Sequence, residues 1–152
     1  MKFRFKTLTH SPERMNVVSA KLGATTADKY SDKDIGKAMK MGAVPGTFLL
    51  CADGDEIEGR LDNIDAGGTE DGFVFGGVAC GGRGYRVVAD YTGATDAAVL
   101  DLVVAAAQPA SGTAGGMKVK AGTPVTHKWR IIDNGKDVAT VTTGDVVVLE
   151  LL

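Results

Sequence analysis

Glycine sets the first limit on what this chain can fold into. Its 152 residues hold 21 glycines against 4 prolines, and many glycines sit beside Asp, Asn or another Gly, where a chain reverses. Asp53-Gly54 and Asn134-Gly135 are the strongest such signals, because both central residues of a type I′ hairpin turn need positive φ. Gly81-Gly82-Arg83-Gly84 and Gly144-Asp145 add two more turns. Between them lie runs of strand length, rich in β-branched and aromatic residues, at 47–52, 73–80, 85–90, 138–142 and 146–152. Turns arriving at that spacing predict a mostly β fold, a small β-barrel or sandwich with glycine-rich loops.

The N-terminus suggests an attachment to that body. Lys2, Arg4 and Lys6 alternate with Phe3 and Phe5 up to Leu8, the period of a strand with one face to bury. The polar segment 9–29 reads as an extended arm or long loop, with a short strand at Asn16-Val17-Val18-Ser19-Ala20. The expected organisation is a strand and extended N-terminal arm over 1–30, then one β-rich domain over 31–152. Within that domain two stretches stay open between helix and strand. Ser31-x-x-Asp34 resembles a capping box, yet the sparse apolar spacing up to Met41 favours a strand. The run 97–107 is alanine-rich but carries a Val-Leu-x-Leu-Val-Val core, which tips it toward a strand.

Further along, Asp53-Gly54 is expected to fold the half-exposed 56–64 back as the partner of the buried 47–52. Residues 108–116, rich in Pro, Ala, Ser, Gly and Thr, read as a flexible loop. Val125, His127, Trp129 and Ile131 fall on one face of a strand, and Asn134-Gly135 leads it back into 138–142. No strict internal sequence repeat is present.

Charge and cysteine content narrow the function classes. Residues 1–50 carry nine basic and four acidic side chains, and 51–101 carry three basic and eleven acidic. The early basic residues are not interleaved with a stacking aromatic set, so a nucleic-acid partner is not expected. The asymmetry suits docking on protein surfaces, including other copies of this chain. No stretch is long and apolar enough to suggest a membrane partner. The first residues lack the apolar core of a secretory signal, which points to synthesis in a cytoplasm. Cys51 and Cys80 lie among apolar neighbours and read as free, buried thiols.

Enzyme templates fail on residues they require. His10 and His127 are far apart and neither cysteine lies in a metal-binding pattern, so no metal site is expected. Asp53-Gly54-Asp55-Glu56-Ile57-Glu58 departs from a calcium loop, with Ile57 and Glu58 at the fifth and sixth positions, and reads as a solvated hairpin tip. Gly81-Gly82-Arg83-Gly84 lacks the third glycine of a dinucleotide fingerprint. Ser111 follows Pro109-Ala110 rather than the Gly-x of a nucleophile elbow. The expectation is no catalytic residue, no cofactor and no enzymatic activity.

The order of features over 35–125 carries a family likeness. Gly36-Lys37-Ala38 leads into Gly46-Thr47-Phe48-Leu49-Leu50-Cys51-Ala52-Asp53-Gly54-Asp55, then Ile57-Glu58-Gly59. Asp71-Gly72-Phe73-Val74-Phe75-Gly76-Gly77-Val78-Ala79 and Ala121-Gly122-Thr123-Pro124-Val125 follow. This resembles the small β-barrel decoration, or cement, proteins of tailed-bacteriophage heads. The resemblance implies a non-enzymatic structural protein of the virion, on the outer surface of the capsid. It would stabilise the capsid by clamping neighbouring subunits of the major capsid protein as a homo-oligomer, with a trimer favoured. It also implies an arm that adds a strand to a capsid subunit or a neighbouring copy, which makes Phe3, Arg4, Phe5, Lys6 and Leu8 the expected interaction residues. The competing reading packs Phe3 and Phe5 into the protein's own core. The alternatives are a small ligand-binding β-barrel domain and another virion part, such as a tail-tube or head-completion protein.

Overall fold

The computed structural model describes residues 15–70 and 72–152, with side chains over 17–65 and 72–152. The fold is almost entirely β. Strands β1 (Met15–Leu22), β2 (Ala38–Met41), β3 (Thr47–Leu50), β4 (Gly59–Glu70) and β5 (Phe73–Gly81) close a first barrel in the order β1-β3-β2-β4-β5. Then come β6 (Arg86–Tyr91), β7 (Ala97–Ala98), β8 (Leu102–Ala105), β9 (Lys118–Ala121), β10 (Trp129–Asp133), β11 (Thr140–Val141) and β12 (Val146–Leu151). Five of these close a second barrel in the order β10-β12-β6-β9-β8, while β7 and β11 form a separate two-stranded ladder. Closure leaves each barrel no outer edge strand along most of its circumference.

The two barrels are one architecture used twice. Each closes by pairing its first strand with its last, and each pairs its first and third strands in parallel over only two residues. Those residues are Lys21↔Thr47 and Leu22↔Phe48 in the first barrel, and Asp90↔Lys118 and Tyr91↔Val119 in the second. Register agrees strand by strand. Met39↔Leu50 matches Val103↔Ala121, Arg60↔Ala79 matches Arg130↔Glu150, and Leu61↔Val78 matches Ile131↔Leu149. A register shift follows at the same point in both, between Leu61 and Asn63 and between Ile131 and Asp133. Even the bonds flanking the parallel pair recur: Lys21 N–H donates to Gly46 and Asp90 N–H to Met117, at 3.0 and 2.8 Å. The backbone is thus a tandem repeat that the sequence does not display.

Each ambiguous stretch resolves on local chemistry. Ser31 and Asp34 form a reciprocal capping box on a single turn of 3-10 helix, Asp32–Asp34, and the chain then becomes strand β2. The 97–107 run is strand, broken in two where Leu100 takes a positive φ of 83°. The polar segment 9–29, expected as an arm or loop, supplies β1, eight residues long and paired with β5 throughout. Residues 1–14, including the Phe3, Arg4, Phe5, Lys6 and Leu8 interaction set, lie outside the described residues.

Three expectations are corrected. Asp53-Gly54 turns the chain, with Gly54 at φ 87°, but does not make a hairpin, because β2 lies between β3 and β4 in the barrel. Asn134-Gly135 likewise turns without pairing its flanks. β11 pairs with β7, and the Asn134 amide donates to the carbonyls of Val138 and Thr140, both at 2.9 Å. Val125 and His127 are not in a strand; β10 starts at Trp129, because the preceding amides are drawn to Glu56.

Candidate functional site

The junction between the barrels holds the one ion pair among the described residues with both side chains fully buried. Only residues 82–85 link β5 to β6, yet further connections reach across. The 51–58 connection of the first barrel meets the body of the second: Gly54 N–H donates to Ala105, and Ala105 N–H to Asp55, each at 2.9 Å. Trp129, fully buried, donates its indole N–H to the Ile57 carbonyl at 2.9 Å. Ala38, Cys51, Ile57 and Ala79 of the first barrel share one apolar cluster with Tyr85, Val103, Trp129 and Leu149 of the second.

The expected solvated hairpin tip is part of this weld. Glu56 accepts the amides of Val125, Thr126 and His127, with His127 N–H at 2.9 Å. Those bonds, from His127 first and Val125 next, hold its carboxyl below the ordinary 4.5 against a smaller opposing effect of burial. Asp53 takes Lys120 at 2.5 Å, and Asp55 takes Lys40 at 2.5 Å and the Ala52 amide at 2.6 Å. Asp53, Asp55 and Glu56, three of the four carboxylates in the stretch that departs from a calcium loop, are therefore committed to protein partners.

The second clasp joins the 3-10 turn to the 106–117 connection. Asp34 and Lys37 are completely buried, 2.5 Å apart. Lys37 also donates to the carbonyls of Pro109, Ala110 and Thr113 at 3.1, 3.1 and 2.6 Å. Asp34 accepts Ser31 N–H at 2.8 Å and both its oxygens lie within 3.0 Å of Gly112 N. Gln108 ties the base of the same segment, accepting Ala38 N–H and donating to Ala106 and Lys118. The expected flexible loop is instead held to the first barrel by a buried ion pair whose hydrogen-bonding capacity is filled.

A cleft of about 360 Å³ opens beside this weld. One wall is β6, from Arg86 to Asp90, and the other is Ile35, Gly36 and Arg60 of the first barrel. Glu150 receives Arg86 at 3.1 Å and Arg130 at 3.0 Å. Burial alone would raise its pKa, but Arg130 and then Arg86 overcome this and hold it low. One carboxylate thus serves two guanidinium groups. At the far end of the first barrel, an apolar groove of about 240 Å³ runs between Ala43, Val44, Leu49 and Phe73. Its rim is exposed, Val44 at 64 % and neighbouring Met41 at 63 %.

The cysteines are free, Cys51 buried and Cys80 half-buried. Burial pushes the Cys51 thiol up to about 12, so it remains protonated and unreactive near neutrality. His127 Nδ1 stands 3.6 Å from Glu56, and His10 lies outside the described residues. Among the described residues no three His, Cys, Asp or Glu side chains converge as metal ligands, and no helix is long and apolar enough to cross a membrane. The residues that make the junction, Asp34, Lys37, Glu56 and Gln108, escaped the sequence reading as a set. The capping box and the acidic turn were visible, but not what they would face.

Comparison with known proteins finds no matching family model, no matching curated protein and no matching solved structure.

Proposed function

We propose that this chain is a non-enzymatic structural protein that decorates the outside of a tailed-bacteriophage capsid. In this reading it is a homo-oligomer, a trimer being favoured, that clamps adjacent subunits of the major capsid protein. The sequence order over 35–125 supports this reading. The observation that carries it in three dimensions is the apolar groove between Ala43, Val44, Leu49 and Phe73 of the first barrel, with Val44 64 % exposed. Apolar side chains so exposed on a body whose junction is internally satisfied suit a protein partner. A clamp also needs two bodies that do not hinge, so that several weak contacts must break together. The shared apolar cluster and the buried Asp34–Lys37 pair supply that coupling here.

The test is whether the protein co-purifies stoichiometrically with virus particles and protects them from heat. Particles lacking it should rupture at lower temperature, and Val44→Asp should weaken capsid binding while leaving the circular dichroism spectrum unchanged. No binding to expanded capsids, together with equal heat stability of particles lacking the protein, would rule the reading out.

A further inference from the structure

One turn of the first barrel is rebuilt in the second and left exposed. Lys37 N–H donates to Asp34 at 3.2 Å, and Asp101 N–H to Ala98 at 3.1 Å. Gly36 N–H donates to Leu61 at 2.8 Å, and Leu100 N–H to Ile131 at 2.7 Å. Leu61 N–H returns to Lys37 and Ile131 N–H to Asp101, both at 3.0 Å. Gly36 and Leu100 share a positive φ, 98° and 83°. In the first barrel this turn is the seat on which the 106–117 connection is clasped. In the second it carries Leu100, 65 % exposed. Val138, 60 % exposed, adjoins Ala139, whose carbonyl accepts Val99 N–H at 2.9 Å. A left-handed backbone crowds a Cβ against the following carbonyl, so glycine is the comfortable residue there. Among the described residues Leu100 is the only one other than glycine with a positive φ. Such strain persists where it serves an interaction, and here it holds an apolar side chain in water.

We infer that Leu100 and Val138 dock a second copy of the chain, through Met41 and the 42–46 connection of that copy's first barrel. The junction inside the chain sets the precedent. There the 34–37 turn receives the connection that follows β8, and Gly54 and Asp55 pair with Ala105 at the end of β8. Register makes Met41 the counterpart of Ala105, opposite Phe48 and Val119 respectively. The 42–46 connection after β2 is therefore the counterpart of 106–117. A two-fold junction would seat 42–46 on the 98–101 turn as well. Instead Met41, Val44 and Leu100 are all exposed, so the junction is head-to-tail. It leaves one turn and one connection unused, the turn on the second barrel and the connection on the first. The unused halves match each other. The 42–46 connection is uncharged and shorter than 106–117, and Leu100 supplies bulk where the first barrel has Gly36. An apolar contact thus takes the place of the Asp34–Lys37 clasp. Head-to-tail contacts between copies close into rings or run on as filaments. The contact goes beyond the capsid reading, which includes a homo-oligomer but no surface for it, and it needs no capsid.

Sedimentation of the purified full chain, without capsids, tests this. The wild-type chain should self-associate. Leu100→Asp and Val44→Asp should each sediment as monomers, because each removes one half of the contact. Their equimolar mixture should form a dimer and nothing larger, joined through the two halves that remain intact. Both positions are exposed, so each variant should keep the wild-type circular dichroism spectrum. Leu100→Gly suits the positive φ and should also lose association, which separates the side chain's role from backbone strain. A monomeric wild-type chain, or a mixture that stays monomeric, overturns the inference. So does association that survives any one of these substitutions, the result expected of a two-fold contact or of another surface. The two readings fail separately. Val44→Asp chains that lose capsid binding yet still self-associate overturn this inference alone. Chains that assemble as described but leave capsids unbound overturn the capsid reading alone.

Discussion

The two barrels share a backbone and differ in how it is filled. Leu22, Ala20, Leu61 and Val78 are buried in the first, and their counterparts Tyr91, Ala89, Ile131 and Leu149 are buried in the second. The fourth strand opens with Gly59 in one and Trp129 in the other. The last strand carries Gly76 and Gly77 where its counterpart carries Val147 and Val148. A Cβ on Gly76 would lie 2.5 Å from the Asn63 carbonyl oxygen, and one on Gly59 would lie 2.6 Å from Val78. The first barrel therefore achieves its register by backbone proximity around a cluster of seven buried residues. The second achieves it with large side chains, and its cluster extends into the first barrel's wall. One frame accepts either solution, because packing density constrains the sum of volumes and not which strand supplies them. The less filled barrel leans on the better filled one.

The largest effect should come from the clasp. Lys37→Met would leave Asp34 charged and buried without its partner, and should destabilise the protein by about 3–5 kcal/mol in urea unfolding. A loss below about 1 kcal/mol would mean that the pair is not buried in solution. Next is the position that is full in one barrel and empty in the other. Trp129→Ala removes the indole and its bond to Ile57 and should cost about 3–5 kcal/mol. Gly59→Ala overfills the matching site and should cost about 1–3 kcal/mol. Equal tolerance at both would show that the two sites are not equivalent in packing.

Acid should act on the junction and the second barrel. Glu56, Glu150 and Asp145 all have carboxyls held low in the fold. A lowered folded pKa gives stability that is present above the unfolded value, ordinarily 4.5 for Glu and 3.8 for Asp. That stability is lost as pH falls through the folded value. Stability should therefore decline below about pH 5, and Glu56→Gln should flatten part of that decline; an unchanged slope would contradict the Glu56 contacts. The smallest effect concerns the thiols. Cys51 should resist alkylation in the native state and take up label once unfolded without reductant, as read by intact mass. Failure to label even when unfolded would reveal a disulfide.

The β character of the chain was legible because turn signals and β-branched runs act locally. Strand 146–151 and the turn at Gly144 follow the sequence reading closely, and Ser31-x-x-Asp34 did cap a turn. Which strands pair was not legible. Asp53-Gly54 has the chemistry of a hairpin turn, but β2 reaches β3 first through the short 42–46 connection. The repeat was hidden for a related reason. At equivalent ladder positions only Val18/Val87, Ala20/Ala89 and Arg60/Arg130 are identical, since a barrel interior demands apolar volume and not particular residues. The 108–116 segment looked flexible because its order comes from Asp34 and Lys37, more than 70 residues away.

Whether the barrels form one cooperative unit is the most direct question. Trp129 is the sole tryptophan and sits at the junction, while the Leu61 and Val78 amides report the first barrel. Urea unfolding followed by Trp129 fluorescence and by exchange of those two amides should give one transition with a shared midpoint. Loss of Leu61 and Val78 protection at lower urea, while Trp129 keeps its native emission, would show two independent barrels and contradict the account.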